Sequence, residues 1–177
     1  MSKIAKLLVL VGLFISCASM LVSCGEMKLT PEEKAARQEA AKKSVAESII
    51  HRHYRINVTS MTPLRAETMY VSGCWIKIDS TMVDCSIPYM GLDDTPHFKT
   101  PGEARMDSKM VFTAEMEDYY VELQPEQNSI FVSFKTGFRG ISYTFKMLIQ
   151  DVNQARINVV PDDRDEIFYE GNLYPKE

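Results

Sequence analysis

Beyond its first two dozen residues this chain has no long apolar run, and that absence excludes a bundle of membrane-spanning helices, each of which needs ~20 consecutive apolar residues. It also lacks a basic excess. Against 20 lysines and arginines stand 24 acidic side chains, a formal net charge of −4, so nucleic acid is not an expected partner, because phosphate binding needs a basic face. No nucleophile elbow is present, and a serine or cysteine hydrolase needs a nucleophile, a base and an orienting group in one place. Carboxylate pairs for glycoside chemistry are a matter of three-dimensional separation, which a sequence does not carry. Internal repeats and low-complexity tracts are absent too, which removes solenoids and propellers. The composition predicts a protein that is not an enzyme and carries no cofactor.

Metal ligands are sparse. His51 and His53 stand two apart at the end of a helical stretch, where two-apart residues face away from each other, and His97 is remote from both. The acidic cluster Asp162, Asp163, Asp165 and Glu166 lacks the glycine and spacing of an EF-hand and reads as a solvated turn. No metal site is expected.

What is present begins with Lys3 and Lys6, then an apolar run from Leu7 to Val22 interrupted by Gly12, Ser16 and Ser19, the pattern of an export signal over residues 1–23. Leu21-Val22-Ser23-Cys24 resembles a bacterial lipobox, in which the cysteine thiol is lipidated and becomes the first mature residue; Cys17 is the weaker alternative. Each buried CH₂ of an acyl chain contributes about 0.8 kcal/mol, so several chains would hold the protein on a membrane. Cleavage there takes away Lys3 and Lys6 and no acid, leaving 18 of the 20 basic side chains against 24 acidic ones. It leaves 154 of 177 residues, enough for one domain with a sizeable core. The expected location is the cell envelope, on the outer membrane facing the periplasm, since Gly25-Glu26-Met27-Lys28 lacks doubled acids resembling a surface-export signal.

Residues 24–29 have no period and read as a tether. Thr30-Pro31-Glu32-Glu33 then supplies a capping threonine, a proline at the first helical position and a glutamate three residues after the cap, which opens a helix over 30–53. Only Val45, Ala46, Ile49, Ile50 and Tyr54 make an apolar stripe, so the last turns are the part expected to dock.

From residue 54 to 177 the period is alternating, as in strands. Strands are expected near 54–61, 68–78, 81–90, 109–116, 119–124, 129–136, 141–150, 154–160 and 166–173. The connections Asp79-Ser80, Glu117-Asp118, Pro125 to Asn128, Gly137 to Gly140 and Val152-Asn153 are too short for crossover helices, so sequential antiparallel hairpins follow. A mainly β fold results, one N-terminal helix and then a meander of eight or nine strands that closes into a barrel because closure removes exposed edges; an open sheet or a sandwich is the second choice. The exception is a long loop from Leu92 to Ser108, whose length makes either function or plain insertion a fair reading.

The stretch from Cys74 to Gly91 also specifies a register. With Asp79-Ser80 as the turn, Ile78 faces Thr81, Ile76 faces Val83 and Cys74 faces Cys85. Cys74, Ile76, Ile78, Thr81, Val83, Cys85 and Ile87 then share a core face, with Trp75, Lys77, Met82, Asp84 and Ser86 on the other. Cys74 and Cys85 can bridge in that register, or remain two small buried apolar side chains; both readings stay open.

The order Ile76 to Asp79, Thr81-Met82-Val83 and Ile87-Pro88-Tyr89-Met90-Gly91 resembles the "LPYFG"-type signature of the Bacteroidetes lipoprotein family known as domain of unknown function 4251, with Ile87 and Met90 in place of leucine and phenylalanine. Ala155 to Val159, Arg164 and Ile167 to Gly171 resemble its closing segment, and the likeness runs from Ile49 to Tyr174. The resemblance implies a lipid-anchored envelope protein with a lipocalin-like β domain. It implies no activity and no functional residues.

Two kinds of function are compatible with these residues. A non-enzymatic module could hold a small apolar or amphiphilic ligand in the barrel, in a pocket of Tyr89, Phe134, Tyr143, Phe145, Ala155, Tyr169 and Gly171, where Ala155 and Gly171 leave room and tyrosine hydroxyls are polar handles. Alternatively the core is filled and the protein is a structural or protein-interaction module of the envelope, its partner unspecified.

Overall fold

In the computed structural model, residues 30–64, 67–89, 109–163 and 165–176 are described. The export signal, Cys17, Cys24, the tether at 24–29, Met90 and the loop from Leu92 to Ser108 with His97 lie outside the described residues. The chain divides into two units, 1–34 and 35–177. Within the first, Thr30 forms the reciprocal capping box expected of it: its Oγ1 accepts from the Glu33 N–H at 3.2 Å, and its own N–H donates to Glu33 Oε2 at 2.8 Å.

Helix α1 runs Pro31–Ile50. It ends earlier than the expected 53 because Arg52 adopts a left-handed φ of 56°, after which β1 begins at His53. Val45 and Ile49 are buried as expected, whereas Ile50 is 55% exposed and Ser48 takes the buried position instead. Ser48 can do so because its hydroxyl donates to the Val45 carbonyl at 2.8 Å.

Eight strands follow: β1 His53–Pro63, β2 Met69–Asp79, β3 Met82–Pro88, β4 Lys109–Gln124, β5 Ser129–Phe138, β6 Ile141–Gln150, β7 Gln154–Pro161 and β8 Ile167–Pro175. All neighbours are antiparallel, and β8 pairs with β1, so the meander is a closed barrel. Alternate side chains point inward, and the expected inward faces of β5, β6, β7 and β8 are the buried ones.

Two expectations are corrected. The strands expected at 109–116 and 119–124 are one strand of 16 residues, because Glu117-Asp118 forms a bulge rather than a hairpin, with Asp118 at φ 52° and a register shift between Glu117 and Tyr120. The extra residue moves the inward side chains from Met110, Phe112 and Met116 to Tyr119 and Val121. In the β2–β3 hairpin, the turn is Ser80-Thr81 instead of Asp79-Ser80. Asp79 pairs with Met82, Ile78 with Val83 and Ile76 with Cys85, a sum two higher than expected. Asp79 stays in the strand because its carboxylate is held from outside by Lys176 at 2.7 Å, His53 at 3.2 Å and Lys77 at 3.8 Å. A shift of two preserves which side chains share a face, so the core face survives while the cross-strand partners change. Cys74 now lies opposite Val58 and Cys85 opposite Ile76, and both thiols are free and buried.

The closing seam rests on Gly171, which sits opposite Val58 of β1 and Ala155 of β7. A Cβ built there would lie 2.3 Å from the Asn57 carbonyl oxygen and 3.1 Å from the Ile56 side chain. The absent side chain lets the β1 backbone approach, just before the β1 bulge between Val58 and Ser60. Gly171→Ala is expected to destabilise by about 1–3 kcal/mol in urea titrations, since a backbone atom cannot swing aside. A neutral or stabilising change would show that the seam is not limited by this contact.

Candidate functional site

The interior comes first, since the inward faces bring together the residues singled out by sequence. Phe134 and Phe145 are opposite each other on β5 and β6 and stack at 4.8 Å between ring centroids. Tyr119 stacks on Phe134 at 6.2 Å, and Tyr89 meets Tyr143 edge-on at 6.3 Å. Ala155 and Gly171 face each other across β7 and β8. A hollow able to take even one water leaves accessible surface on the side chains lining it, whether or not it opens outward. Phe145 and Ala155 have none, and Phe134 and Tyr169 keep 1%. Residual exposure remains at Cys74, Tyr89, Met110 and Phe112 toward one end, and at Met116 beside the β2–β3 turn, where its N–H meets the Thr81 carbonyl. At Gly171 the space is taken by β1 itself.

The tyrosine hydroxyls reach backbone carbonyls. Tyr169 donates to Pro88 at 2.7 Å, Tyr89 to Asp165 at 3.1 Å and Tyr119 to Ile49 at 3.0 Å. Because Tyr119 spends its proton on Ile49, the 3.3 Å contact with Tyr54 has Tyr54 as donor. That pair ties β1 and β4 to the last turn of α1. Burial raises Tyr54 and Tyr169 well above the usual phenol range, and it pushes the Cys85 thiol far up as well. Each is therefore held in its neutral form around pH 7, the opposite of a group tuned for acid–base or nucleophilic work.

A second feature, which sequence reasoning did not anticipate, lies on the outer face of β5–β8. A shallow cleft of about 530 Å³ is lined there by Phe131, Leu148, Phe168, Lys146, Arg156 and Asn158, with Thr62 and Glu170 at its margin. The register lays these out as two rows. Phe131, Leu148, Arg156 and Glu170 are successive partners across β5 to β8, and Lys146, Asn158, Phe168 and Thr62 are successive partners across β6 to β1. Outward faces of antiparallel sheets are ordinarily polar, so large apolar side chains there stand out. Phe168 is 40% exposed. Arg156 approaches Glu170 through Nε at 3.8 Å, and Asn158 donates its amide to Glu166 at 2.8 Å while its own oxygen is buried without a partner among the described residues. The signal was present in the sequence as Phe131, Leu148 and Phe168 at outward positions, but only the register places them side by side.

A smaller crevice of about 340 Å³ runs between α1 and the barrel end, lined by Val45, Ala46, Leu123, Ile130, Ile149 and Val152 beside Lys42. Lys42 is committed across it to Asn128 Oδ1 at 3.1 Å. His53 binds Asp79 rather than His51, and among the described residues no three His, Cys, Asp or Glu side chains gather as a metal site. Nor, among those residues, is any helix long and apolar enough to cross a membrane.

No curated protein matches the chain. Three chains of solved structures match. One is the crystal structure of a DUF4251 family protein from Bacteroides eggerthii DSM 20697, similar with a TM-score of 0.58 and 12% identity over 79% of this chain and 91% of that one. At that identity the likeness speaks for the fold, an eight-stranded barrel with its helix. The family model described as Domain of unknown function (DUF4251) matches residues 36–173, from within α1 to the last inward residue of β8, and the chain therefore belongs to the DUF4251 family.

Proposed function

We propose that this protein is a non-enzymatic module of the cell envelope, lipid-anchored through Cys24, whose barrel is a filled scaffold and whose binding surface is external. The observation that carries the reading is the near-zero accessible surface of Phe134, Phe145, Ala155 and Tyr169, which leaves the middle of the barrel no standing volume for a ligand. The Tyr54 and Tyr169 phenols and the Cys85 thiol, held neutral by burial, are poorly suited to acid–base or nucleophilic work. The anchor reading rests on the lipobox-like Leu21 to Cys24 after a charged start. It places the protein on the outer membrane, facing the periplasm. A ligand inside the barrel remains the competing reading, favoured by the residual exposure at Tyr89 and Cys74, and it requires side chains to move apart.

Ala155→Phe separates the two. In a filled barrel the larger ring should destabilise by about 1–3 kcal/mol, measured by denaturant unfolding. If stability is kept and a ligand seen by native mass spectrometry is lost, the interior is the binding site. Tyr169 offers an independent check through pH. Its folded pKa is raised above the ordinary value of 10.0, so its contribution is complete below pH 10 and is lost as pH climbs through the folded value. Stability should accordingly fall above about pH 10, and Tyr169→Phe should lessen that fall while costing about 1–3 kcal/mol at neutral pH for the stranded Pro88 carbonyl. An identical alkaline decline in both proteins would mean the phenol is not dry. For the anchor, labelled palmitate should enter the wild type and not Cys24→Ala; equal labelling refutes it.

A further inference from the structure

We infer that the outer cleft of β5–β8 is a binding site for a single-chain amphiphile with an anionic head, an inference that rests on the reading of an external binding surface. Its volume of about 530 Å³ falls in the range of small-molecule sites. The strand register gives the cleft a polarity. Phe131 and Leu148 are adjacent on β5 and β6, forming an apolar end, and Phe168 on β8 flanks the other side. Between them Lys146 and Arg156 are diagonal neighbours across β6 and β7, since Lys146 pairs with Asn158 and Leu148 with Arg156.

Both cations are available. Lys146 is exposed and has no acidic partner among the described residues, and Arg156 meets Glu170 through Nε, at a distance too long for a hydrogen bond. An apolar tail laid on Phe131 and Leu148 puts an acidic head beside these two side chains, where charge-assisted hydrogen bonds add to the burial of the tail. The opposite polarity fits less well, because a cationic head would face Lys146 and Arg156, while of the nearby acids Glu166 is engaged by the Asn158 amide and Glu170 by Arg156. The buried Asn158 oxygen plays no part in holding the head, since an anion offers it no proton.

The test uses the protein purified as the cell makes it, with a photoactivatable diazirine analogue of laurate as probe and the matching alcohol as its neutral control. Adducts located by peptide mass spectrometry should fall on the β5–β8 segments carrying Phe131, Leu148 and Phe168. Lys146→Glu should reduce that labelling about tenfold, with Lys146→Arg restoring it and the melting temperature of both unchanged. The alcohol should label several-fold less. Equal labelling by acid and alcohol, or labelling indifferent to Lys146→Glu, overturns the anionic specificity. Absence of any adduct in the cleft overturns the site while leaving the filled barrel standing, whereas adducts on Phe134, Tyr143 and Phe145 overturn both.

Discussion

Everything in this barrel depends on the approach of β8 to β1. An open eight-stranded meander has two long edges of unpaired N–H and C=O groups, and only their mutual pairing removes both. Here that pairing spans Tyr54 to Pro63 on β1 and Ile167 to Pro175 on β8, broken once at the bulge after Val58. The seam passes directly over Gly171, where any side chain would strike the Asn57 carbonyl. Closure also decides what the interior can be. Eight strands enclose a space that side chains just fill, and the inward aromatics of neighbouring strands, Tyr119 of β4, Phe134 of β5 and Phe145 of β6, stack on one another within it.

One end of the barrel is finished by α1. The carbonyl of Ile49, near the helix C-terminus, accepts from the Arg52 N–H at 3.1 Å in the closing turn, and Tyr119 adds a second donor from β4 at 3.0 Å. Arg52, three residues later, lies over the same ring at 4.6 Å, a cation–π contact that helps to hold the tyrosine. Tyr119 can reach the helix only because the bulge at Asp118 turns it inward. The irregularity in β4 and the docking of the helix are thus one device. At the same end Asp79 gathers Lys176, His53 and Lys77, fastening the β2 terminus to the beginning of β1 and to the chain's last described residue.

Much of this architecture was legible in the sequence, and the gaps have physical causes. Alternation named the inward faces of β5 to β8, and short connections implied the meander, because both are local properties of the chain. The capping box at Thr30 was readable for the same reason. Hairpin register was not. A turn centred on Asp79-Ser80 and one centred on Ser80-Thr81 satisfy the same alternation, and the choice falls to Lys176, 97 residues away in sequence, which holds Asp79 in the strand. The β4 bulge failed similarly: one inserted residue reverses the period, and a reversed period looks like the end of a strand. Gly171 was recognised as a small inward residue, but whether smallness makes room for a ligand or for a neighbouring backbone depends on a strand distant in sequence, where Val58 pairs with Gly171 and the Asn57 carbonyl lies against it.

The outer cleft was illegible for a related reason, and it bears on how such a barrel works. Phe131, Leu148 and Phe168 come from three strands, and each alone is an unremarkable surface residue, since single exposed apolar side chains are common. Their meaning arises from being cross-strand or diagonal neighbours, together with two cations whose nearest acid is engaged weakly. A scaffold whose interior is fully committed to its own stability is free to vary its outward positions without disturbing the core, because the pleat separates the two sets completely. Function placed outside a filled barrel is therefore decoupled from folding, whereas function placed inside would have to be carved from the same aromatic stack that stabilises closure.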